Sequence, residues 1–375
     1  MSDKHLHIVS FDVPYPPNYG GVQDVYYKLV ALKKAGVNIH LHCFKYGRGP
    51  APELNELCTE VNYYPRKTGI WFSLGIRPYI VQSRKSKELI QRLEKDNYPI
   101  LFEGLHSCYL LSDKRLKGRK KIYRESNIEH QYYYYLFKAE RNLLRKLYFV
   151  SASLKLLLFQ RILKHATLML VVSQDDTEYL QRKFRSQRVI YLPSFHANEE
   201  VSALPGKGDY ALYHGKLSVS ENQEAACFLI EKVFSELDHK LVIAGLDPPN
   251  RIIKLAKTYP NVELVSNPDD ESMSNLIRNA QVNVLVTFQP TGLKLKLLNT
   301  LYQGRFCVAN PEMLAGTGLC RLCEVAKGID QLKEKINQAF SKEFDVAEVE
   351  NRRKILEKNY SNQAKAERLI NLIFC

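Results

Sequence analysis

Residues 5–44 decide the fold, and they read HLHIVSFDVPYPPNYGGVQDVYYKLVALKKAGVNIHLHCF. A short apolar run at 5–11 leads into a loop rich in proline and glycine, and an amphipathic stretch follows from Val22 to Ala35. Gly36 ends this predicted helix, and a second apolar run at 39–44 follows at once. Strand, loop, helix and strand in this order predict a βαβ unit and therefore a parallel sheet.

The same alternation continues along the chain. We predict strands at 60–64, 100–102, 121–124, 168–172 and 189–192, and helices at 83–95 and 132–165. Residues 193–208 contain two prolines and two glycines and read as a linker, after which the βα alternation restarts at Tyr210 and runs to Ala309. In this half we predict strands at 210–214, 240–244, 262–265, 282–287 and 306–309, and helices at 222–235, 251–258, 270–279 and 293–302.

The length supports two domains, because 375 residues exceed the roughly 250 to 300 at which single cores stop growing. We therefore predict an α/β fold with two Rossmann-like domains facing one cleft. The N-terminal domain is predicted at 1–200 and the C-terminal domain at 207–348, with a helical stretch at about 350–375 packing back on the first domain.

Composition and charge limit the class of protein. The chain is 45% hydrophobic without a run long enough to span a membrane, it has no recognisable signal peptide, and its eight cysteines are scattered, so we expect a cytoplasmic protein. Residues 1–200 carry 32 Lys and Arg against 19 Asp and Glu, whereas the remainder is nearly balanced. This asymmetry indicates either an anionic partner, such as a membrane surface, a lipid-linked phosphate or a nucleic acid, or merely solvated side chains.

Two loops of the second half have the form that a diphosphate requires. In the first, a predicted strand ends on Gly215 followed by Lys216, so backbone N–H groups can approach phosphate oxygens; an ordinary structural turn is the alternative. In the second, Gly292 opens a predicted helix whose first turn contains Lys296, which adds a positive charge to the helix dipole. Asn299 lies on nearly the same face and could bind ribose hydroxyls, while the alternative for Lys296 is a solvated position.

The order of these features resembles the retaining glycosyltransferases of family 4, especially a bacterial subgroup of surface-polysaccharide assembly. The resemblance rests on the Pro-Pro and Gly-Gly loop before residue 22, on Gly215 to Leu217, on Ala244-Gly245, and on 292–304 followed by 308–310. It implies the GT-B fold and transfer of a sugar from a nucleoside-diphosphate sugar to a saccharide or lipid-linked saccharide. It also implies that neither a metal nor another cofactor is needed.

The resemblance assigns donor-binding residues, with two departures. The glutamates of the family's E-x7-E pattern match Thr291 and Asn299, so both acids are absent. Lys216 matches the first cation of the phosphate loop, Glu221 occupies the place of the second, and Lys296 is expected to supply the missing charge. The predicted donor site contains Gly20, Gly21, Gly215, Lys216, Thr291, Gly292, Lys296 and Asn299.

The first half is predicted to bind the acceptor. His106 follows a strand where the family often has a histidine facing the transferred sugar, and Glu129 follows the next strand as a candidate base. We predict catalytic roles for these two residues and acceptor contacts for Glu103, Arg124 and Asn127. The alternative is that His106 is an ordinary loop residue and that Asn127 and Glu129 only cap a helix.

A tyrosine run at 132–135 with Arg141, Arg145 and Lys146 indicates contact with lipid headgroups or a sugar chain, which predicts peripheral binding at the inner face of the cytoplasmic membrane. Cys320 and Cys323 lack a second ligand pair for zinc. Two other functions stay open: an epimerase of GT-B fold acting on the nucleotide sugar alone, and a non-catalytic basic protein that binds membrane or nucleic acid. Specific nucleic-acid recognition is not expected, because the basic residues form no known motif for it.

Overall fold

The computed structural model describes residues 3–69, 75–140, 142–289 and 294–375. This part of the chain forms two compact units. Unit 1 contains the described residues up to His196 together with Asn362–Cys375, and unit 2 contains the described residues between Ala197 and Ser361. The predicted α/β architecture of two Rossmann-like domains is confirmed, since each unit is built on its own parallel sheet.

Unit 1 is built on seven parallel strands. They are β1 (His5–Ser10), β2 (Asn38–Lys45), β3 (Glu60–Pro65), β4 (Ile100–Glu103), β5 (Lys121–Arg124), β6 (Leu168–Val171) and β7 (Arg188–Tyr191). Their order is β3-β2-β1-β4-β5-β6-β7, with His7 paired to His40 on one side and to Ile100 on the other. The order reverses between β1 and β4, which is the switch point where doubly wound sheets bind ligands.

Helices cover both faces of this sheet. They are α1 (Gly20–Lys34), α2 (Glu53–Leu57), α3 (Tyr79–Gln82), α4 (Lys87–Leu93), α5 (Glu129–Ala139), α6 (Leu143–Phe159), α7 (Gln174–Lys183) and α15 (Asn362–Phe374), with 3-10 segments at Leu105–Leu110, Lys114–Leu116 and Gln160–His165. One apolar layer joins Leu29 of α1 and Leu369 of α15 to the sheet, and the other contains Leu89 of α4 and Phe102. The sheet is therefore buried on both sides.

The helical segment predicted at 132–165 is not continuous in the structure. Glu140 has an extended backbone (φ −74°, ψ 140°), which ends α5. Asn142 then caps α6, because its Oδ1 accepts the N–H groups of Leu144 and Arg145 at 3.1 Å each. The sequence therefore folds as two helices in contact, followed by a 3-10 segment.

Unit 2 is built on six parallel strands. They are β8 (Tyr210–His214), β9 (Lys240–Gly245), β10 (Val262–Ser266), β11 (Val282–Leu285), β12 (Phe306–Ala309) and β13 (Glu324–Val325), in the order β10-β9-β8-β11-β12-β13. The helices are α8 (Ser220–Phe228), α9 (Asn250–Thr258), α10 (Asp270–Asn279), α11 (Leu295–Gln303), α12 (Pro311–Leu314), α13 (Ile329–Ser341) and α14 (Val346–Tyr360). A π-helical turn (Leu229–Val233) and 3-10 segments at Phe234–Glu236 and Cys320–Leu322 complete the unit.

The helical stretch predicted at about 350–375 is divided at Ser361, whose backbone is extended (φ −64°, ψ 139°). The helix before this residue belongs to unit 2, whereas the helix after it packs against α1 in unit 1. Among the helices that the structure describes, none combines the length and the apolar character needed to cross a bilayer.

Candidate active site

The loop after β8 lies against the end of the neighbouring strand in unit 2. The N–H of Gly215 donates to the carbonyl oxygen of Ala244 at 3.1 Å. A Cβ atom on Gly245 would lie 1.7 Å from the carbonyl oxygen of Gly215, so this close approach requires glycine. The exposed side chain of Lys216 follows directly, which gives the loop a cation at the carboxyl edge of the sheet.

Lys296 of α11 reaches the same loop. Its Nζ donates to Oδ1 of Asn222 at 2.8 Å and lies 5.1 Å from the centroid of the Tyr213 ring, while Nδ2 of Asn222 donates to the carbonyl oxygen of Lys216 at 2.9 Å. Burial lowers the pKa of the Lys296 ammonium to about 8, although the carboxylate of Glu221 opposes this effect. Lys296 is thus linked through Asn222 to the backbone of Lys216, and a shared anion site for the two lysines stays a prediction.

Glu221, which stands where the family has its second cation, is hydrogen-bonded to a residue that follows β11. Its Oε1 accepts a hydrogen bond from Oγ1 of the buried Thr287. The carbonyl oxygen of Thr287 accepts in turn from Nδ2 of Asn310 at 2.7 Å. Thr287 and Asn310 were not among the predicted site residues. Both are polar residues that follow the ends of apolar strands, which is the signal that could have found them.

Asn299, predicted to hold ribose, belongs to a chain of three amides. Its Oδ1 accepts from Nδ2 of Asn198 at 2.9 Å, and Oδ1 of Asn198 accepts from Nε2 of Gln303 at 2.6 Å. The Asn299 oxygen is therefore held in one orientation. Asn198 was not predicted as its neighbour, because no pattern in the sequence singles it out. Thr291 and Gly292, the other predicted donor residues of this segment, lie outside the described residues.

In unit 1, the predicted glycine loop lies beside His106. Gly20 is the first residue of α1, and Gly21 lies against the ring of Phe11. The centroid of this ring is 5.3 Å from that of the His106 imidazole. Gly104, which follows β4, has a φ of +67°, and this left-handed backbone turns the chain toward His106. Gly21 and His106 thus lie at the same edge of the sheet.

His106 and Glu129, the two predicted catalytic residues, lie side by side. Nδ1 of His106 is 3.7 Å from Oε1 of Glu129, and neither atom has a hydrogen-bond partner among the described residues. Burial raises the pKa of the Glu129 carboxyl to about 8, although the Arg84 guanidinium opposes it. Burial, together with Arg84 and Arg66, holds the pKa of His106 well below its usual range. Near neutral pH the pair is a carboxylic acid beside a neutral imidazole.

Glu103 and Arg124 have a structural role in place of the predicted contact with an acceptor. Glu103 accepts a hydrogen bond from Nζ of Lys28 at 2.7 Å, and Arg124 donates to both oxygens of Asp24 at 2.9 and 3.1 Å. All four side chains are at most 4% exposed. Charges that are buried and already paired in this way are closed to a ligand, and removal of one partner would leave an uncompensated buried charge. Asn127 is half-buried, and its acceptor contact stays a prediction.

A fold built on two parallel sheets is shared with solved structures. WaaG, a glycosyltransferase involved in lipopolysaccharide biosynthesis, matches 98% of this chain and 99% of its own with a TM-score of 0.68 and 14% identity. HepE of Anabaena, solved with UDP and glucose, matches 99% of both chains with a TM-score of 0.67 and 11% identity. The chain has the GT-B fold. WaaB, a lipopolysaccharide outer core galactosyltransferase, shares this GT-B fold over 99% of both chains, with a TM-score of 0.65 and 15% identity.

Sequence similarity is weaker than the similarity of fold. No family model matches the chain. An uncharacterized 44.6 kDa protein in the cps region of Klebsiella pneumoniae is 25% identical over 335 residues, which are 83% of this chain and 84% of that protein. The comparisons therefore show the GT-B fold, and the resemblance to the retaining enzymes of family 4 stays a prediction.

Proposed function

We propose that the protein is a glycosyltransferase that moves a sugar from a nucleoside-diphosphate sugar to a saccharide or lipid-linked saccharide in the assembly of a cell-surface polysaccharide. The observation that carries this proposal is the hydrogen bond of Lys296 to Asn222 of α8, which also donates to the carbonyl oxygen of Lys216 in the Gly215 loop. A partly desolvated cation beside a glycine loop is suited to a diphosphate. The GT-B fold shared with WaaG and WaaB, and the relative from a cps region, support the same function.

In this proposal unit 2 holds the donor. Lys216 and Lys296 stabilise the charge that develops on the leaving diphosphate, and no metal or other cofactor is included. Binding of the anion raises the pKa of Lys296 from its value of about 8, because a nearby negative charge favours the ammonium. Asn299, with its oxygen already oriented by Asn198, offers its amide N–H groups to the ribose.

Unit 1 supplies the groups that contact the transferred sugar and the acceptor. Protonated Glu129 donates a hydrogen bond to a hydroxyl, and neutral His106 either donates or accepts one. Above its pKa of about 8, Glu129 becomes a carboxylate that can accept a proton from an acceptor hydroxyl. Retention of the anomeric configuration belongs to the proposal on the strength of the family resemblance alone.

Calorimetric titration with nucleoside diphosphates tests the donor site. Lys296→Met is expected to lower the affinity about tenfold or more, the usual effect of losing a charge-assisted hydrogen bond. Lys296→Arg keeps the charge, and Lys254→Met removes an exposed lysine elsewhere in unit 2, so both should retain most of the affinity. Equal affinity in the wild type and in Lys296→Met would contradict the proposal.

We further propose that unit 1 binds an anionic membrane through α6. This helix contains no acidic residue, whereas Arg145 is 75% exposed and Lys146 follows it. Leucines at helical spacing form a stripe on its surface, and their exposed fractions run from 56% to 79%. The members of this stripe, named the α6 leucine stripe, are Leu143, Leu144, Leu147, Leu154 and Leu158.

Exposed leucines flanked by cations suit an interface with lipid better than contact with water, because leucine gains free energy on leaving water and the cations attract anionic headgroups. Such binding would hold the protein at the inner face of the cytoplasmic membrane, where a lipid-linked acceptor is available.

A further inference from the structure

A separate cavity of about 600 Å³ in unit 1 has an unusual excess of positive charge. Its volume is in the range of small-molecule sites, about 300 to 1,000 Å³. Five of its lining residues are Lys or Arg and one is acidic. They are Lys67, Arg77, Lys85, Lys87 and Arg115, with Asp113 as the acid.

The acid does not neutralise the other cations, because Arg115 already binds it. Nε and Nη2 of Arg115 donate to the two oxygens of Asp113 at 3.0 and 2.8 Å. In the parts of the chain that the structure describes, the four remaining cations form no ion pair. Burial lowers the pKa of Lys85, and the positive charges of Arg77 and Lys67 lower it further. Like charges are thus held close together around an open space.

The cavity lies at the edge of the sheet where ligands of doubly wound folds bind. Lys67 follows the carboxyl end of β3, and Tyr109 belongs to the 3-10 segment that also contains His106 and follows β4. The Tyr109 hydroxyl accepts the N–H of Ser86 and donates to its carbonyl oxygen, each at 3.1 Å. These two hydrogen bonds hold the start of α4, and with it Lys85 and Lys87, against the 3-10 segment that contains His106.

We propose that this cavity binds a diphosphate group. Each phosphoryl group of a diphosphate carries at least one negative charge near neutral pH, so the two together match four unpaired cations better than a single carboxylate does. Resting on the proposed function, the inference names the charged group of the acceptor: a diphosphate that links the saccharide to its lipid. A free diphosphate has the same chemistry, and the experiment separates the two sources.

The test combines titration with inorganic pyrophosphate and site-resolved labelling. Bound pyrophosphate is expected to slow acetylation of Lys85 and Lys87, measured peptide by peptide by mass spectrometry. The double variant R77Q/K85Q should lower pyrophosphate affinity about a hundredfold, at roughly tenfold for each charge-assisted hydrogen bond lost.

The matched control is K114Q/K117Q, which removes two exposed lysines close by in sequence that do not line the cavity. It should keep the wild-type affinity, and Lys114 and Lys117 should stay unprotected in the labelling experiment. An equal loss in both double variants would overturn the proposal in favour of a diffuse basic surface. Absence of pyrophosphate protection at Lys85 would overturn it as well.

Two further experiments identify whether the diphosphate is free or lipid-linked, and they test the cavity independently of the proposed donor site. Neutral phosphatidylcholine vesicles containing a polyprenyl diphosphate should recruit the wild type but not R77Q/K85Q; protection by pyrophosphate without such recruitment identifies a free diphosphate as the ligand. In Lys296→Met, protection of Lys85 should persist. If it persists while nucleotide binding is unaffected by that substitution, the donor proposal fails and the cavity stands.

Discussion

Burial sets the protonation states of Glu129 and His106, the two predicted catalytic residues of unit 1. Glu129 is 3% exposed and retains its proton near neutral pH, whereas His106 beside it loses its own. Two groups with displaced pKa values in opposite senses can divide proton donation and acceptance between them.

Glu129→Gln is expected to change the dependence of stability on pH. Because the pKa of Glu129 is raised from 4.5 to about 8 on folding, the folded state binds more protons between these values, and its contribution to stability falls as pH rises through this window. The variant removes this contribution, so its free energy of unfolding relative to the wild type should improve from pH 5 to pH 8.

Urea unfolding at several pH values measures this difference. His106 acts in the opposite sense and below its ordinary value of 6.5, so the interval from 6.5 to 8 reports on Glu129. Parallel pH profiles for the two proteins across that interval would contradict the assignment.

The position of a residue in the fold could be predicted from sequence where it depends only on which strand the residue follows. His106 and Glu129 follow neighbouring strands of the sheet, and they meet. Glu103 and Arg124 end the same strands, yet their side chains turn inward to Lys28 and Asp24, partners that lie 75 and 100 positions away. The sequence around a strand end does not reveal such distant partners.

Among the secondary-structure elements, the meeting of β8 and β9 is the most sensitive to substitution. Gly245→Ala would place a methyl group 1.7 Å from the carbonyl oxygen of Gly215, so one strand end must move. We expect a loss of stability of about 1 to 3 kcal/mol or more, together with weaker nucleotide binding. Thermal unfolding measures the first effect and calorimetry the second.

Gly49→Ala is the matched control, because nothing lies within 4 Å of a Cβ at this position. It should leave both the unfolding temperature and the nucleotide affinity close to those of the wild type. Normal behaviour of Gly245→Ala would show that the loop does not depend on this contact.

The α6 leucine stripe is expected to govern membrane binding. Leu144→Ser with Leu147→Ser should lower co-sedimentation with vesicles of phosphatidylcholine and phosphatidylglycerol about tenfold or more, since burying each leucine gains about 1.5 to 3 kcal/mol. The control pair Leu204→Ser and Val346→Ser removes exposed aliphatic side chains from unit 2. Unchanged vesicle binding of the α6 variant would contradict a membrane role. Size-exclusion chromatography gives a second check: if the wild type is a dimer and the α6 variant a monomer with unchanged vesicle binding, the stripe is an interface between two copies of the chain.

The strands and helices could be predicted from apolar runs, but the points at which helices are interrupted could not. The strands from β1 to β12 appear where the pattern predicts them, within a few residues. The division between α5 and α6 depends on the Asn142 cap, which lies inside a continuous helical pattern. The predicted helix at 222–235 likewise begins at Ser220 and passes into a π-helical turn at Leu229, a change of winding that periodicity does not encode.

For the whole molecule, the important feature is that unit 1 is completed by a distant segment. α15 buries Leu369, Ile370 and Ile373 in the apolar layer that contains residues of α1. Nζ of Lys365, also buried, donates to the carbonyl oxygen of Ser194. The sheet of unit 1 therefore lacks part of its cover without these residues.

Deletion of residues 362–375 is expected to prevent stable folding of unit 1. Each large aliphatic side chain lost from a core costs about 2 to 5 kcal/mol, and three of them approach the whole stability of a typical domain. Hydrogen exchange should show lost protection in β1–β7 and retained protection in β8–β12. A synthetic peptide of residues 362–375 should restore protection in unit 1, and its failure to do so, or full protection without it, would contradict this role.

The position of α15 also sets the timing of biogenesis. Ser194 and Lys365 are 171 positions apart, so a ribosome must make all of unit 2 before the two can meet. During that interval the nascent chain carries a nearly complete first sheet with an uncovered apolar strip. Chaperone binding to this strip, and release once the last helix emerges, are the expected course of synthesis.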